Sequence, residues 1–430
     1  MKKVQYMTGF GNEFATEALK GALPEGQNSP KEPPYGLYAE QLTGTAFTAP
    51  RAENKRTWFY RIRPSVVPAN YKPYPHEGLC AGREGCVVAS PNQLRWQAPA
   101  VPRKKTDFID GLQAYTHAGC EDTGTGMAAY LYTANKSMTD RFFYSADGEF
   151  LMVPQEGALE IHTEMGILDV TPEEIALIPR GVKFQVRLKG KTARGYVCEN
   201  FGHPFRLPDL GPIGANGLAN PRDFQAPEAE FHNETGRFTL LCKMDGHMWQ
   251  ARIDHHPLDV VAWHGNYAPY KYDLRRFNAM NTVTFDHADP SIFTVLTSPS
   301  GAAGVANVDF VIFPPRWNVA ENTFRPPYYH RNIMSEFMGL ITGKYDGKKG
   351  GFEPGGASLH SRMSAHGPDK ATFDAAIRAS EKPHRIKGTM AFMFETRHML
   401  RVTTQAAKFK TLEKNYARCW QGLESRFTGP

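Results

Sequence analysis

No apolar run in the 430 residues approaches the roughly 18 needed to cross a membrane as a helix. The opening MKKVQYMTGFGNEF has lysines but no apolar segment behind them, so no secretory leader is read there. Cysteine is sparse: Cys80, Cys86, Cys120, Cys198, Cys242 and Cys419 are scattered, and no two form a C-x-x-C pair. In a long chain that pattern argues against a disulfide framework, and His76, Cys80 and Cys86 lack zinc spacing. Charge of one sign is thin as well. The formal net charge of +6 comes from 50 basic and 44 acidic residues spread along the chain. Its densest basic stretches, Arg103-Lys104-Lys105 and Lys348-Lys349, are too short for a nucleic-acid face. These absences leave a reduced, cytoplasmic protein as the expectation, with neither a membrane nor a nucleic acid as partner.

What is abundant is turn chemistry. Glycine (39) and proline (32) punctuate short apolar runs throughout, the pattern of an all-β sandwich or barrel. Phe150–Val153, Ala158–Ile161, Ile167–Val170 and Ile175–Ile178 read as strands. Asp147-Gly148, Glu156-Gly157, Met165-Gly166, Pro172 and Pro179-Arg180-Gly181 separate them. They predict an antiparallel meander of the jelly-roll kind. A second strand-rich region holds Thr282–Phe285, Phe293–Leu296, Val308–Phe313 and Ala391–Phe394. Helical spacing is limited to Lys370–Glu381, behind the start signal Pro368-Asp369. The loop-rich N-terminal 130 or so residues are expected to wrap around the first sandwich.

The chemistry concentrates in RPPYYHRNIMSE, Arg325–Glu336. His330 and Glu336 are six apart, and even separations along a strand face the same way, so both could reach one metal ion. A third ligand would come from His360 or His366 in HSRMSAHG, and spacing does not choose between them. Two imidazoles and a carboxylate, with other positions open, form the triad of Fe(II) oxygenases, where substrate and dioxygen both need room. A His and a Glu six apart also recur by chance. Proline-aromatic flanks and the further histidines weigh toward the metal.

The cupin motifs are H-x-H-x3-E and P-x-G-x2-H. His330, Asn332 and Glu336 follow the first with Asn at the second His position. Pro179-Arg180-Gly181 follows the second with Phe184 where the His would stand. The expected fold is therefore all-β: two cupin-like, jelly-roll β-sandwich domains with a loop-rich N-terminal extension and a few short helices. Residues 1–277 would hold a metal-free core at about 140–200, and 278–430 the catalytic domain. His255-His256 and His264 lack a third ligand at convincing spacing and read as structural. GPIGANG, Gly211–Gly217, lacks the terminal Gly-Lys-Ser/Thr of a phosphate loop and reads as tight turns or a subunit contact.

Longer strings carry a family resemblance. They include TGFGNE at Thr8–Glu13, LPEGQN at Leu23–Asn28, LYAEQLTGTAFT at Leu37–Thr48 and GPIGANGLANPRDF at Gly211–Phe224. VAWHGNYAPYKY (Val261–Tyr272), FDHADPSIFTVLT (Phe285–Thr297), DFVIFPPRW (Asp309–Trp317), RPPYYHRNIMSEFMGLI (Arg325–Ile341) and GTMAFMFE (Gly388–Glu395) continue the series. Over essentially its whole length the sequence resembles the homogentisate 1,2-dioxygenase family. The resemblance implies Fe(II) on His330, Glu336 and His366, with the A-H-G-P context selecting His366 and leaving His360 beside the ligands. It implies His287 as proton acceptor, and Tyr345 with His366 as substrate-binding residues. It further implies conversion of homogentisate and dioxygen to maleylacetoacetate in tyrosine and phenylalanine catabolism, by a homohexamer built as a dimer of trimers. Without it, His287 reads equally as a structural histidine and Tyr345 as a rim residue. The rival readings are a dioxygenase for gentisate or a similar ring acid, and a metal-poor bicupin that binds or scaffolds.

Overall fold

The computed structural model describes residues 4–67, 70–79, 82–215, 217–348 and 350–430; Cys80, Asn216 and Lys349 lie outside the described residues. Strands dominate, and Lys370–Ala376 is the one α-helix among the described residues. The fold is all-β, built of stacked sheets.

Side-chain alternation sets up three layers. In the strand Glu149–Glu156, Leu151 and Val153 enter one core while Phe150 and Met152 enter another. Thr125–Ala134 does the same, with Met127, Ala129 and Leu131 on one side and Ala128, Tyr130 and Tyr132 on the other. A sheet covered on both faces has no polar side to offer, which is why these strands read as near-continuous apolar runs. This central sheet has nine strands, with Tyr6–Thr8 and Arg401–Val402 at its edges. One face packs on a seven-stranded sheet, the other on a six-stranded sheet made of Thr294–Pro299, Ala306–Phe313, Met390–Thr396, Ser335–Thr342, Ala357–His360 and Leu94–Trp96, in that order.

The expected strands form, with three differences. The stretch after Asp147 is not a simple meander. Glu149–Glu156 pairs with Glu174–Ile178 in the central sheet, whereas Leu159–Thr163 pairs with Gly166–Val170 and Phe184–Leu188 in the facing sheet. That nesting is what closes a jelly roll. The N-terminal region does not merely wrap a sandwich, because Leu112–Cys120 and Thr125–Ala134 lie inside the central sheet and Leu94–Trp96 edges the six-stranded one. Thr282–Phe285 is not a strand. The Thr284 carbonyl accepts the Glu321 N–H at 2.5 Å but no strand ladder forms on it, and Val283 and Phe285 stand exposed. The helix also stops at Ala376; Asp369 caps its start by accepting the Thr372 N–H at 2.7 Å.

Phe184, at the position where a cupin would carry a histidine, is fully buried with Phe143 edge-on at 5.5 Å and Phe108 and Phe150 beside it. Phe184→Ala should therefore destabilise the chain by about 3 kcal/mol in denaturant unfolding, the lower end for such a truncation. Metal content should stay at the wild-type level; a loss of metal would show that this core reaches the metal site.

Candidate metal centre

The six-stranded sheet packs one face into the core and turns the other to a cavity. Phe337, Phe392, Phe394 and Phe310 go into the core, while Glu336, Met338, Met393, Glu395 and Asp309 line the cavity. Strand register then sets His360, Glu336, Glu395 and Asp309 side by side in one row across four strands. The cavity, of about 560 Å³, is of small-molecule size and is also lined by His287, His330, Tyr345, Lys348 and His366.

His330 and Glu336 do meet, but not through strand alternation, since the strand begins only at Ser335. His330 instead pairs with His366 through mutual backbone hydrogen bonds of 3.0 and 3.1 Å, which bring their rings to 4.2 Å. Donor atoms of His330, Glu336 and His366 all lie within 4.8 Å of one another. His330 Nε2 is 3.5 Å from Glu336 Oε1, and His366 Nε2 is 2.9 Å from Oε2.

The opposite ring nitrogens decide the tautomers. His330 Nδ1 faces the Tyr328 carbonyl at 2.8 Å and His366 Nδ1 faces the Ser364 carbonyl at 2.9 Å. A carbonyl only accepts, so each Nδ1 carries a proton and each Nε2 is turned to the Glu336 carboxylate, a hydrogen bond that raises the His330 pKa; the same nitrogen, once deprotonated, offers its lone pair to a cation. Two imidazole nitrogens and a carboxylate converging on one point can share a metal cation in place of protons, and anchoring of the outer N–H on a backbone carbonyl is how metal-bound imidazoles are held. The residues fit a divalent metal.

His360 differs. Its ring stacks on His366 at 4.0 Å, but Nδ1 lies 3.8 Å from Glu336 Oε2 and Nε2 meets the Tyr416 hydroxyl at 3.3 Å. Burial, then the neighbouring His366, push its pKa down to about 4, so it stays neutral. For Glu336 burial alone would raise the pKa; hydrogen bonds from His330, His360 and His366 overcome it and hold the carboxyl well below its ordinary range. Burial, then the charge of Glu336, push Glu395 up to about 7, and burial pushes Asp309 up to about 6.

His287 lines the cavity outside the ligand group. It follows Asp286, whose φ of 72° is uncommon for a residue with a Cβ and is held by the Thr323 hydroxyl, which accepts the Asp286 N–H at 3.0 Å. His287 Nδ1 donates to the Ala288 carbonyl at 2.7 Å, leaving the lone pair on Nε2, and the ring meets Tyr328 edge-on at 5.6 Å. Tyr345 packs between Phe313 and Phe352, and burial holds its hydroxyl well above the usual pKa. Lys348 donates to the Gly367 carbonyl at 2.6 Å and sits over the Trp420 ring at 4.2 Å; burial lowers its pKa to about 8.

Sequence reasoning missed Asp309, Lys348, Glu395 and Tyr416. Glu395 had a signal: in Phe392-Met393-Phe394-Glu395 it shares the period-2 face of Met393, opposite the two phenylalanines. The structure also brings His232, Glu234 and His256 within 4.8 Å, a partner set that the spacing of His255-His256 did not reveal. There, however, His256 Nδ1 accepts the Leu258 N–H, so the neutral ring carries its proton on Nε2 and lacks the ligand orientation of His330 and His366. His264 stacks on Tyr60 and meets its hydroxyl at 3.2 Å.

Two imidazoles and one carboxylate at the wall of an apolar-backed cavity define the class, a non-haem metal-dependent oxygenase. Family models described as homogentisate 1,2-dioxygenase N-terminal and C-terminal match residues 5–274 and 275–427. The chain belongs to the homogentisate 1,2-dioxygenase family, ring-cleaving enzymes that act on homogentisate and dioxygen. Among solved structures, a mutant oxalate decarboxylase from Bacillus subtilis is 11% identical at a TM-score of 0.33, over 80% of this chain and 88% of that one. A putative dioxygenase from Nostoc punctiforme is 11% identical at 0.25, over 82% and 89%. A cupin-2 domain protein from Shewanella frigidimarina is 19% identical at 0.16, over 17% and 70%. Likenesses this low carry no argument about activity.

Proposed function

We propose that the metal is Fe(II), held by His330, Glu336 and His366, and that the enzyme opens homogentisate to maleylacetoacetate. The observation that carries this reading is the matched tautomer of the two imidazoles, each fixed by a backbone carbonyl with its Nε2 toward Glu336. When bound, the iron supplies electron transfer between ring and dioxygen and a template for both. The protein's own groups do the rest. His287 takes the phenolic proton on Nε2, a transfer suited to an imidazole at neutral pH. Tyr345 keeps its proton and offers a hydrogen-bond donor to the bound anion; His366, with Nδ1 on the Ser364 carbonyl and Nε2 given to the metal, would meet the substrate only through the metal. Lys348 and Arg331 place positive charge on the cavity wall for a carboxylate substrate. Anaerobic Fe(II) loading followed by oxygen uptake tests the assignment: homogentisate should drive uptake far faster than gentisate. Equal rates, or uptake with gentisate alone, would move the enzyme to another ring acid, and bound iron with no uptake would favour a binding protein.

The two units proposed, 1–277 and 278–430, exchange edge strands: Leu94–Trp96 joins the six-stranded sheet and Arg401–Val402 joins the central one. The protein is proposed to work in the cytoplasm; no helix of the described residues is long and apolar enough to cross a membrane. A homohexamer, as a dimer of trimers, is proposed too. Exposed Val283, Phe285, Trp317, Ile333 and Met363 support it, being large apolar side chains better placed under a neighbouring subunit. Light scattering at micromolar concentration should return six chains, and a monomer would refute the assembly.

A further inference from the structure

We propose that Asn332 is the positioning residue of the metal site, one side chain and one carbonyl that together set the carboxylate ligand and the loop bearing the second imidazole. The proposal rests on the ligand set above. Asn332 stands where the cupin motif has a second histidine, so its side chain starts from a place where an imidazole would reach the metal.

Its orientation is determined by the chain itself. The amide oxygen accepts the Met334 N–H at 2.9 Å, and since that N–H can only donate, the Nδ2 end must face the other way. There it donates to Glu336 Oε1 at 3.0 Å and to Glu395 Oε1. Both hydrogens of the amide are thus spent on two carboxyl groups that are direct cross-strand neighbours. With Oε1 engaged, Oε2 is the Glu336 oxygen presented to His366 Nε2. The backbone carbonyl of Asn332 meanwhile accepts the Met363 N–H at 2.8 Å, tying down the loop between His360 and His366.

An amide does here what an imidazole could not. A histidine would add a ligand and close a position that substrate or dioxygen needs. The amide spends its oxygen on the Met334 N–H and its hydrogens on the carboxylates, orients the existing ligand and leaves the metal's remaining positions open. Its neutral donors also relieve repulsion between Glu336 and Glu395 without adding a charge, which an arginine or lysine could not do.

The test uses the full-length, iron-loaded enzyme with Asn332→Leu, close in volume, and Asn332→Ala. Fe(II) affinity is read anaerobically by competition with a chromophoric chelator, and site geometry by the electron paramagnetic resonance of the nitric oxide adduct. Loss of an outer partner of a ligand costs about 10–100-fold in metal affinity, and both variants should fall in that range. The resonance should broaden or shift, and kcat per bound iron should fall while KM for homogentisate changes little. Wild-type affinity and an unaltered resonance, with only a lower Tm, would overturn the proposal and leave Asn332 a packing residue. A wild-type chain that bound no Fe(II) would overturn the ligand set itself, so the two failures are separable.

Discussion

Glu336→Ala is expected to empty the metal site and abolish ring cleavage together while the chain stays folded. Glu336 is the sole anion of the proposed ligand set, and its two oxygens are the meeting point of His330 and His366. Without it, only the two imidazoles remain as ligands, and neither the neutral His360 nor the Asn332 amide supplies an anionic oxygen. Metal affinity should drop by more than about 100-fold, beyond what losing an outer partner alone costs. The fold should persist because the opposite face of the strand, with Phe337 among the core phenylalanines, is untouched. Elemental analysis of anaerobically loaded protein, beside circular dichroism, checks both halves. Full iron occupancy in Glu336→Ala would sink the ligand assignment.

Much of this site could be read before any coordinates, and the reasons differ by residue. His330, Glu336 and the choice of His366 over His360 came from motif and family resemblance. The even-spacing argument named a pair that does meet, but by another geometry, because His330 is held by a bridge to a segment 36 positions away rather than by its own strand. Asn332 was visible as a departure from the cupin pattern, but its role depends on which cross-strand neighbours its amide meets. Glu395 and Asp309 are remote in sequence and become neighbours of Glu336 only through register, which no local pattern encodes. The same limit hid the shared central sheet. Phe150–Val153 and Ile175–Ile178 were recognisable singly while Leu112–Cys120 and Thr125–Ala134 were not read, and continuous apolarity says only that both faces are covered, not by what. Thr282–Phe285 shows the converse, a strand-like composition that joins no sheet, where Val283 and Phe285 stay at the surface.

His287→Phe should keep near-normal iron and lose turnover. Phenylalanine preserves a ring against Tyr328, which matters because the Tyr328 carbonyl holds His330 Nδ1 and a collapsed packing there would disturb a ligand. What disappears is the Nε2 lone pair, left available because Nδ1 donates to the Ala288 carbonyl. His287 is outside the ligand group, so chelator competition should return wild-type affinity. Substrate binding should survive, since Tyr345, Lys348 and the metal positions are untouched, and KM should change little. If His287 is the general base, kcat should fall by about 10²–10⁴-fold. The acidic limb of the pH–rate profile should shift or vanish with it, because the group that must be unprotonated for turnover is gone. A structural histidine predicts the reverse: a lower Tm, with ordinary kcat per folded, iron-loaded chain. That second result would remove His287 from the chemistry and leave the metal set intact, since nothing in the ligand geometry depends on its proton.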